Sequence, residues 1–333
     1  MIQKTVTKEN FNKLVAAVAV HQAMFGPVYE EGAVTISKLS AESVVAFDYT
    51  NVTLPVKSLI FTRRETLCTY EGTTLHDAPL PEQPLVIFGV RPCDTHALSY
   101  LDKVFLAEGS IDPFYKKRRE SSVIISLACT NPAATCFCTS VNASPTGFEG
   151  TDILVYDLGS TLLFEAHTKK GEEFMQTYSS LFPDPSPEDK QRKQETLTAL
   201  KTKERKMPIA FSDTSEAWER ISELCLQCGT CTYLCPTCHC FGIYEEKTDK
   251  GASRIRVYES CQFPFFTQEA SGHNPRSLGW ERMRQRVLHK FQYAVENYDS
   301  VFCVGCGRCI QQCPVNLDVR EILGIAHGEH DKN

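Results

Sequence analysis

The sequence predicts an α/β N-terminal domain over residues 1–184 and an all-α, cysteine-organised C-terminal domain over residues 185–333. Three observations predict this division. Two continuous apolar runs, Leu85–Val90 and Val123–Ala128, flank a helical pattern, as strands buried on both faces of a parallel sheet do. Two copies of C-x2-C-x2-C-x3-C-P, starting at Cys225 and Cys303, stand 78 residues apart. Apolar residues at helical period precede the first copy and lie between the two.

The elements follow in order. Residues 8–24 carry Phe11, Leu14, Val15, Val18 and Met24 near helical spacing and end at Gly26-Pro27, which reads as one amphipathic helix. Short β-rich runs follow at Val34–Ile36, Val44–Phe47 and Leu59–Thr62, with Cys68 among them as an ordinary half-buried thiol. Leu85–Val90 runs straight into Arg91-Pro92-Cys93-Asp94, and Ala97, Leu98, Leu101, Val104 and Phe105 then mark a helix. Val123–Ala128 runs straight into Cys129, and a loop holding Cys136 and Cys138 follows. Strand, helix and strand at this spacing form a right-handed βαβ unit. Its two parallel strands end on one rim, where open α/β sheets bind ligands.

Cys93 and Cys129 lie on that rim by this reading, with Cys136 and Cys138 just beyond. The four thiols form a third [4Fe-4S] site, another metal or redox site, or merely small buried hydrophobes. Asp94 either replaces a thiolate there or caps the following helix. Asp152–Asp157 and Thr161–Glu165 read as a hairpin about Gly159-Ser160, and residues 171–183 as helix. The polar, proline-bearing stretch Asp184–Lys193 marks the domain boundary. An exposed charged helix over Lys190–Lys206 follows, then Ser212 or Thr214 capping a helix from Ser215 to Leu224. Residues 280–296 and 318–326 complete the predicted helices.

The doubled cysteine run carries the chemistry. Its spacing is the ligand pattern of paired cubane iron–sulfur clusters, three cysteines wrapping one cube and the fourth reaching the other. Cys225, Cys228, Cys231 and Cys313 are therefore assigned to one [4Fe-4S] cluster, and Cys303, Cys306, Cys309 and Cys235 to a second. Glycines at 229, 305 and 307 let the chain approach inorganic sulfide, and proline after the fourth cysteine turns it away. Zinc sites use two separated C-x2-C pairs and fit this run poorly.

Composition narrows the class. A chain of 333 residues with 42% hydrophobic content supports packed cores. A formal charge of −6, with anionic clusters added, argues against a nucleic-acid partner. Sixteen cysteines without a signal-peptide pattern point to metal in a reducing cytoplasm. No window approaches the length of an apolar membrane span.

Between the runs lie 67 residues, more than a compact ferredoxin hairpin needs. They hold Cys238, Cys240 and Cys261, which either serve a further cluster with His239 or His273 or pack as small hydrophobes. Arg254, Arg256, Arg276, Arg282, Arg284, Arg286 and Lys290 offset cluster charge, form a docking face, or, over 282–290, make a solvated helix face.

The Arg91-Pro-Cys-Asp94, Cys129, Cys136-Phe-Cys138, Cys235-Pro-Thr-Cys-His-Cys240, Ser260-Cys261, Gly272–Arg276 and Cys303–Cys309 segments occur in this order. In this the chain resembles the β subunit of sulfhydrogenase-type [NiFe] hydrogenases and the A subunit of anaerobic sulfite reductase, from about residue 85 to 325. The resemblance implies a subunit relaying electrons between a flavin- and NAD(P)-binding subunit with a [2Fe-2S] cluster and a terminal catalytic subunit. It strengthens a functional role for Cys93, Cys129, Cys136 and Cys138. The chain itself carries no G-x-G-x-x-G after a strand and no P-loop. Two other readings are catalysis at an N-terminal cluster with Asp94, His96 or Arg91, and a redox-sensing iron–sulfur protein.

Overall fold

The computed structural model describes residues 2–200, 215–249 and 251–326. In chain order its described strands are β1 (Gln3–Thr7), β2 (Ala23–Glu30), β3 (Ala33–Lys38), β4 (Arg64–Glu71), β5 (Thr74–Asp77) and β6 (Leu85–Val90). They continue with β7 (Val123–Leu127), β8 (Ile153–Asp157), β9 (Thr161–Ala166), β10 (Phe241–Thr248) and β11 (Gly251–Tyr258). Two compact units share them. The first holds the described residues of Met1–Ile60, Pro81–Arg205 and Val304–Cys306, and the second those of Phe61–Leu80, Lys206–Cys303 and Gly307–Asn333.

The first unit is an α/β sheet of order β1-β9-β8-β7-β6-β2-β3. Its central strands β2, β6, β7 and β8 run parallel, and β3, β9 and β1 are antiparallel to their neighbours. Every residue of β7 is buried, which is why its sequence is continuously apolar. The amphipathic helix Lys8–Ala19, capped by the Thr7 hydroxyl on Asn10 N, lays Phe11, Leu14, Val15 and Val18 onto Val86, Phe88, Ile125 and Val155. The Pro92–Phe105 and Pro113–Ser121 helices make the crossover from β6 to β7. The predicted hairpin is β8–β9, paired from Ile153↔Ala166 to Asp157↔Leu162.

Several N-terminal expectations are corrected. The first helix ends at Ala19, and Gly26-Pro27 lies inside β2. Pro27 is tolerated there because the ladder to β6 stops at Phe25, so its missing N–H costs no bond to that strand. Val44–Phe47 forms only the single bridge Val28↔Val45, and Val44 is largely exposed. Leu59-Ile60 closes a helical turn, Lys57–Ile60. Apolar runs this short do not separate strand from helical turn by period alone. The expected caps Ser212 and Thr214 and the end of the Lys190–Lys206 helix lie outside the described residues; the helix runs Pro187–Ala199, with a capping box between Ser186 and Asp189.

The second unit is not all-α. It contains a four-stranded antiparallel sheet of order β10-β11-β4-β5 beside its helices. Residues 61–80 therefore pack with the cysteine-rich half, across a long gap in sequence. The helices Ser215–Glu223, Gly279–Leu288 and Val319–Ala326 are present as expected. Between 289 and 298 the predicted single helix becomes a π-helical turn, His289–Tyr293, followed by Ala294–Tyr298.

One residue aims the sheet rim. Gly89 has φ +74° and breaks the register between Phe88 and Val90 in the β6–β7 ladder, a bulge that redirects Arg91 and Cys93. A Cβ on Gly89 would lie 2.6 Å from the Pro27 ring. Replacing Gly89 with Val is expected to destabilise the protein by about 1–3 kcal/mol. Thermal melts of the two proteins test this, and an unchanged melting temperature contradicts the bulge.

Candidate metal centres

The two cysteine runs fold locally in the same way. Gln227 (φ +53°) and Gly305 (φ +61°) occupy the same place before the second cysteine of each run. Gly229 and Gly307, both at φ +74°, start the short helices Thr230–Tyr233 and Arg308–Gln311. Each run then closes with a matching turn, Cys238 N to Cys235 O at 3.3 Å and Asn316 N to Cys313 O at 3.1 Å. The left-handed backbone explains the glycines directly. Packing adds to it: a Cβ at 229 would meet the Phe263 ring at 2.8 Å, and one at 305 would meet Cys138 N at 2.4 Å. Backbone conformation and protein neighbours thus both call for glycine at these positions.

Backbone N–H groups point at two of the sulfurs, and a hydroxyl stands beside a third. Gln227 N donates to Cys225 Sγ at 3.3 Å, and Leu317 N to Cys313 Sγ at 3.2 Å. The Thr230 hydroxyl lies 3.3 Å from Cys228 Sγ, and its hydrogen bonding lowers the pKa of that exposed thiol. Such contacts stabilise thiolate and tune whatever metal it binds. Cys225, Cys228, Cys231 and Cys313 line one pocket, which also reaches Cys309 and is walled by Met283, Val319 and Ile322. Burial raises the pKa of Cys225 and Cys231.

Two cations are buried among these thiols. Arg286 is 5% exposed and Lys290 6%, on consecutive turns of the Gly279–Leu288 helix and its π-helical extension. Burial opposes the charge on Lys290, but the thiolates of Cys235, Cys238 and Cys303 more than offset it and hold its pKa above the ordinary value. Arg286 is held charged against burial in the same way by Cys231, Cys309, Cys238 and Cys235. Lys290 Nζ donates to Thr237 Oγ1 at 2.7 Å and to Phe302 O at 3.1 Å, while Lys290 O accepts from Phe302 N at 2.8 Å. This double clip fixes the chain immediately before Cys303. Arg286 Nε has no hydrogen-bond partner. Arg282 is also buried, its guanidinium donating to the carbonyls of Gln262, Arg276 and Ser277. The 282–290 group is therefore not a solvated face. Arg254 pairs with Glu245 and Arg256 with Glu65 within the sheet.

The sheet rim of the first unit gathers the four predicted N-terminal thiols. Cys93, Cys129, Cys136 and Cys138 line one pocket with Asn51, Arg91 and Pro145. Cys306 lines it too, which the sequence did not suggest: its carbonyl accepts from Asn51 Nδ2 at 2.8 Å and lies 3.7 Å from Cys136 Sγ. Burial raises the Cys129 pKa, and burial beside Cys136 and Cys129 pushes Cys138 up to about 11. Arg91, 4% exposed, lies 3.9 Å over the Tyr49 ring and donates to the carbonyls of Tyr49, Thr50, Leu127 and Ala128. It is a built-in cation at the rim with its donors committed to backbone. Asp94 and His96 are buried in the next helical turn and do not line the pocket, and no side chain caps that helix.

Cys238, Cys240 and Cys261 also come together, lining a pocket with His239, His289 and Lys290. His273 does not line it. Cys68 lies in β4, with its sulfur 3.7 Å from Tyr70 Oη. All sixteen cysteines are free of disulfides. Among the described residues no three His, Cys, Asp or Glu side chains stand at single-ion spacing. The thiolates of a cubane bind separate irons and need no such spacing. Soft sulfur donors, N–H groups aimed at them and buried cations beside them fit a polynuclear anionic cluster.

Fold and donor set define an iron–sulfur protein of dicluster type, and residues 224–317 match the family model of a 4Fe-4S dicluster domain. Over 324 residues the chain is 31% identical to sulfhydrogenase 2 subunit beta of Pyrococcus furiosus, covering 95% of this chain and 94% of that protein. The chain belongs to this sulfhydrogenase β-subunit family, which upholds the resemblance read from its motifs. No solved structure matches it. Among the described residues no helix is long and apolar enough to cross a membrane.

Reduction adds negative charge to a cluster, so a buried neighbouring cation favours the reduced form. Lys290→Met is therefore expected to lower the reduction potential of the adjacent cluster by about 60 mV or more, a tenfold change for one electron. A potentiometric titration followed by EPR measures this. An unchanged or raised potential contradicts the role given to Lys290.

Proposed function

We propose that this chain is an iron–sulfur electron-relay subunit. The observation that carries the reading is the pair of cations, Arg286 and Lys290, buried among the thiols of a doubled cysteine run. In this reading Cys225, Cys228, Cys231 and Cys313 hold one [4Fe-4S] cluster, and Cys303, Cys306, Cys309 and Cys235 the other. Cys93, Cys129, Cys136 and Cys138 hold a third at the sheet rim. Bound cubanes supply one-electron storage and transfer. The protein's own part is to present thiolates, direct N–H groups at them and offset their charge with Arg286, Lys290 and, at the rim, Arg91.

The partners are a flavin- and NAD(P)-binding subunit with a [2Fe-2S] cluster and a terminal catalytic subunit, a hydrogenase, sulfite reductase or similar. The name of the Pyrococcus furiosus relative, a sulfhydrogenase subunit, supports such an assembly. No proton transfer is required of this chain. The donors of Arg91 serve backbone carbonyls, and Asp94 and His96 lie off the rim pocket.

Two measurements test the reading. Replacing Cys136 and Cys138 with Ser is expected to remove about four irons per chain and leave the dicluster EPR signals in place. Unchanged iron content in the folded variant contradicts the rim cluster. The isolated chain is also expected to exchange electrons with methyl viologen while turning over no substrate of the assembly. Substrate turnover by the chain alone favours catalysis at the rim.

A further inference from the structure

The thiols of the pocket at the open end of the β10–β11 hairpin are not used by the relay reading. The ladder begins at Phe241↔Tyr258 and is extended by Glu259 N donating to Cys240 O at 3.0 Å. This pairing brings Cys240 and Cys261, from the two ends of the hairpin, into side-chain hydrogen-bonding contact. The turn that closes the first cysteine run, Cys238 N to Cys235 O, delivers Cys238 to the same pocket. Three thiols thus arrive from three backbone devices.

The surroundings are not those of packing thiols. Cys238 and Cys240 are only half-buried, and the pocket wall carries Arg286, Lys290, His239 and His289. Arg286 is almost wholly buried, and its Nε has no hydrogen-bond partner. A small apolar thiol gains nothing from a wall of buried cations, whereas an anionic metal–thiolate group does. The Gln262 amide nitrogen also lies 3.8 Å from Cys261 Sγ, a donor on sulfur of the kind seen at the other runs.

We propose that Cys238, Cys240 and Cys261 hold a further iron–sulfur cluster in this pocket, with a histidine of its wall, His239 or His289, completing it. Each thiol passes its proton to solvent on ligation, and the buried cations offset the charge gained. The site adjoins Cys235 in sequence, so its cluster neighbours the one assigned to the Cys303 run. The proposal is independent of the rim cluster, because it uses none of the rim cysteines.

The test is iron and acid-labile sulfide analysis of the anaerobically purified full chain. The double variant Cys240→Ala, Cys261→Ala is expected to lose about four irons per chain, and Cys68→Ala none. Of His239→Ala and His289→Ala, one is expected to keep most of the iron but change the EPR spectrum of this cluster. Unchanged iron in the folded double variant overturns the proposal. If the double variant does not fold, native wild-type protein is treated with iodoacetamide and mapped by mass spectrometry. Protection of Cys238 and Cys240 that is lost on iron removal supports the site. Alkylation of both in the iron-loaded protein, or a mass two hydrogens lighter across Cys240 and Cys261 from a disulfide, overturns it. Loss of iron from Cys136→Ser, Cys138→Ser bears on the rim alone, so failure of the two readings is distinguishable.

Discussion

A cation buried without a carboxylate is costly unless something nearby carries negative charge. Arg286 and Lys290 meet that requirement with cysteine sulfur, and much of the second unit is arranged to keep them there. The Gly279–Leu288 helix buries Met283, Val287 and Leu288 to anchor the arginine's turn. The π-helical turn that follows sets Lys290 against both groups of the Phe302 peptide. Thr237, 1% exposed, accepts from the lysine and donates to Phe302 O, tying the end of the first cysteine run to the start of the second. π-helical turns recur at functional sites for this reason: they re-aim one side chain without ending the helix.

The first unit meets a similar demand with different parts. Its cation is Arg91, held by four backbone carbonyls and an aromatic face, so its position is fixed by the fold. The Gly89 bulge aims the chain that bears it. Burial raises the pKa of Cys129 and Cys138, so a metal or a cation that takes up the charge favours their ionised form. Both units thus pair a half-buried set of thiols with a preplaced positive group, which is the arrangement that lets a protein bind and tune an anionic cluster.

The eight-cysteine pattern was legible because its spacing is itself the chemistry. The rim was legible because two apolar runs ending in cysteine imply parallel strands, and β6 and β7 are such strands. The sheet of the second unit was not. β10 has exposed side chains along much of its length, so its alternation carries little apolar contrast. Its sheet is completed by β4 and β5, more than 150 residues away in sequence, a pairing no local pattern announces. The burial of Arg282, Arg286 and Lys290 was also hidden, because a basic stretch reads as surface until the anions beside it are known. The convergence of Cys238, Cys240 and Cys261 depends on that unforeseen hairpin.

The proposed role requires this chain to take up single electrons and pass them on. The direct test is photochemical reduction of the anaerobic holoprotein by a deazaflavin, followed by EPR and by titration with an oxidised one-electron acceptor. Broadened signals from spin-coupled [4Fe-4S] clusters are expected, with every electron recovered by the acceptor. Clusters that do not reduce, or that reduce but do not return their electrons, would contradict that role.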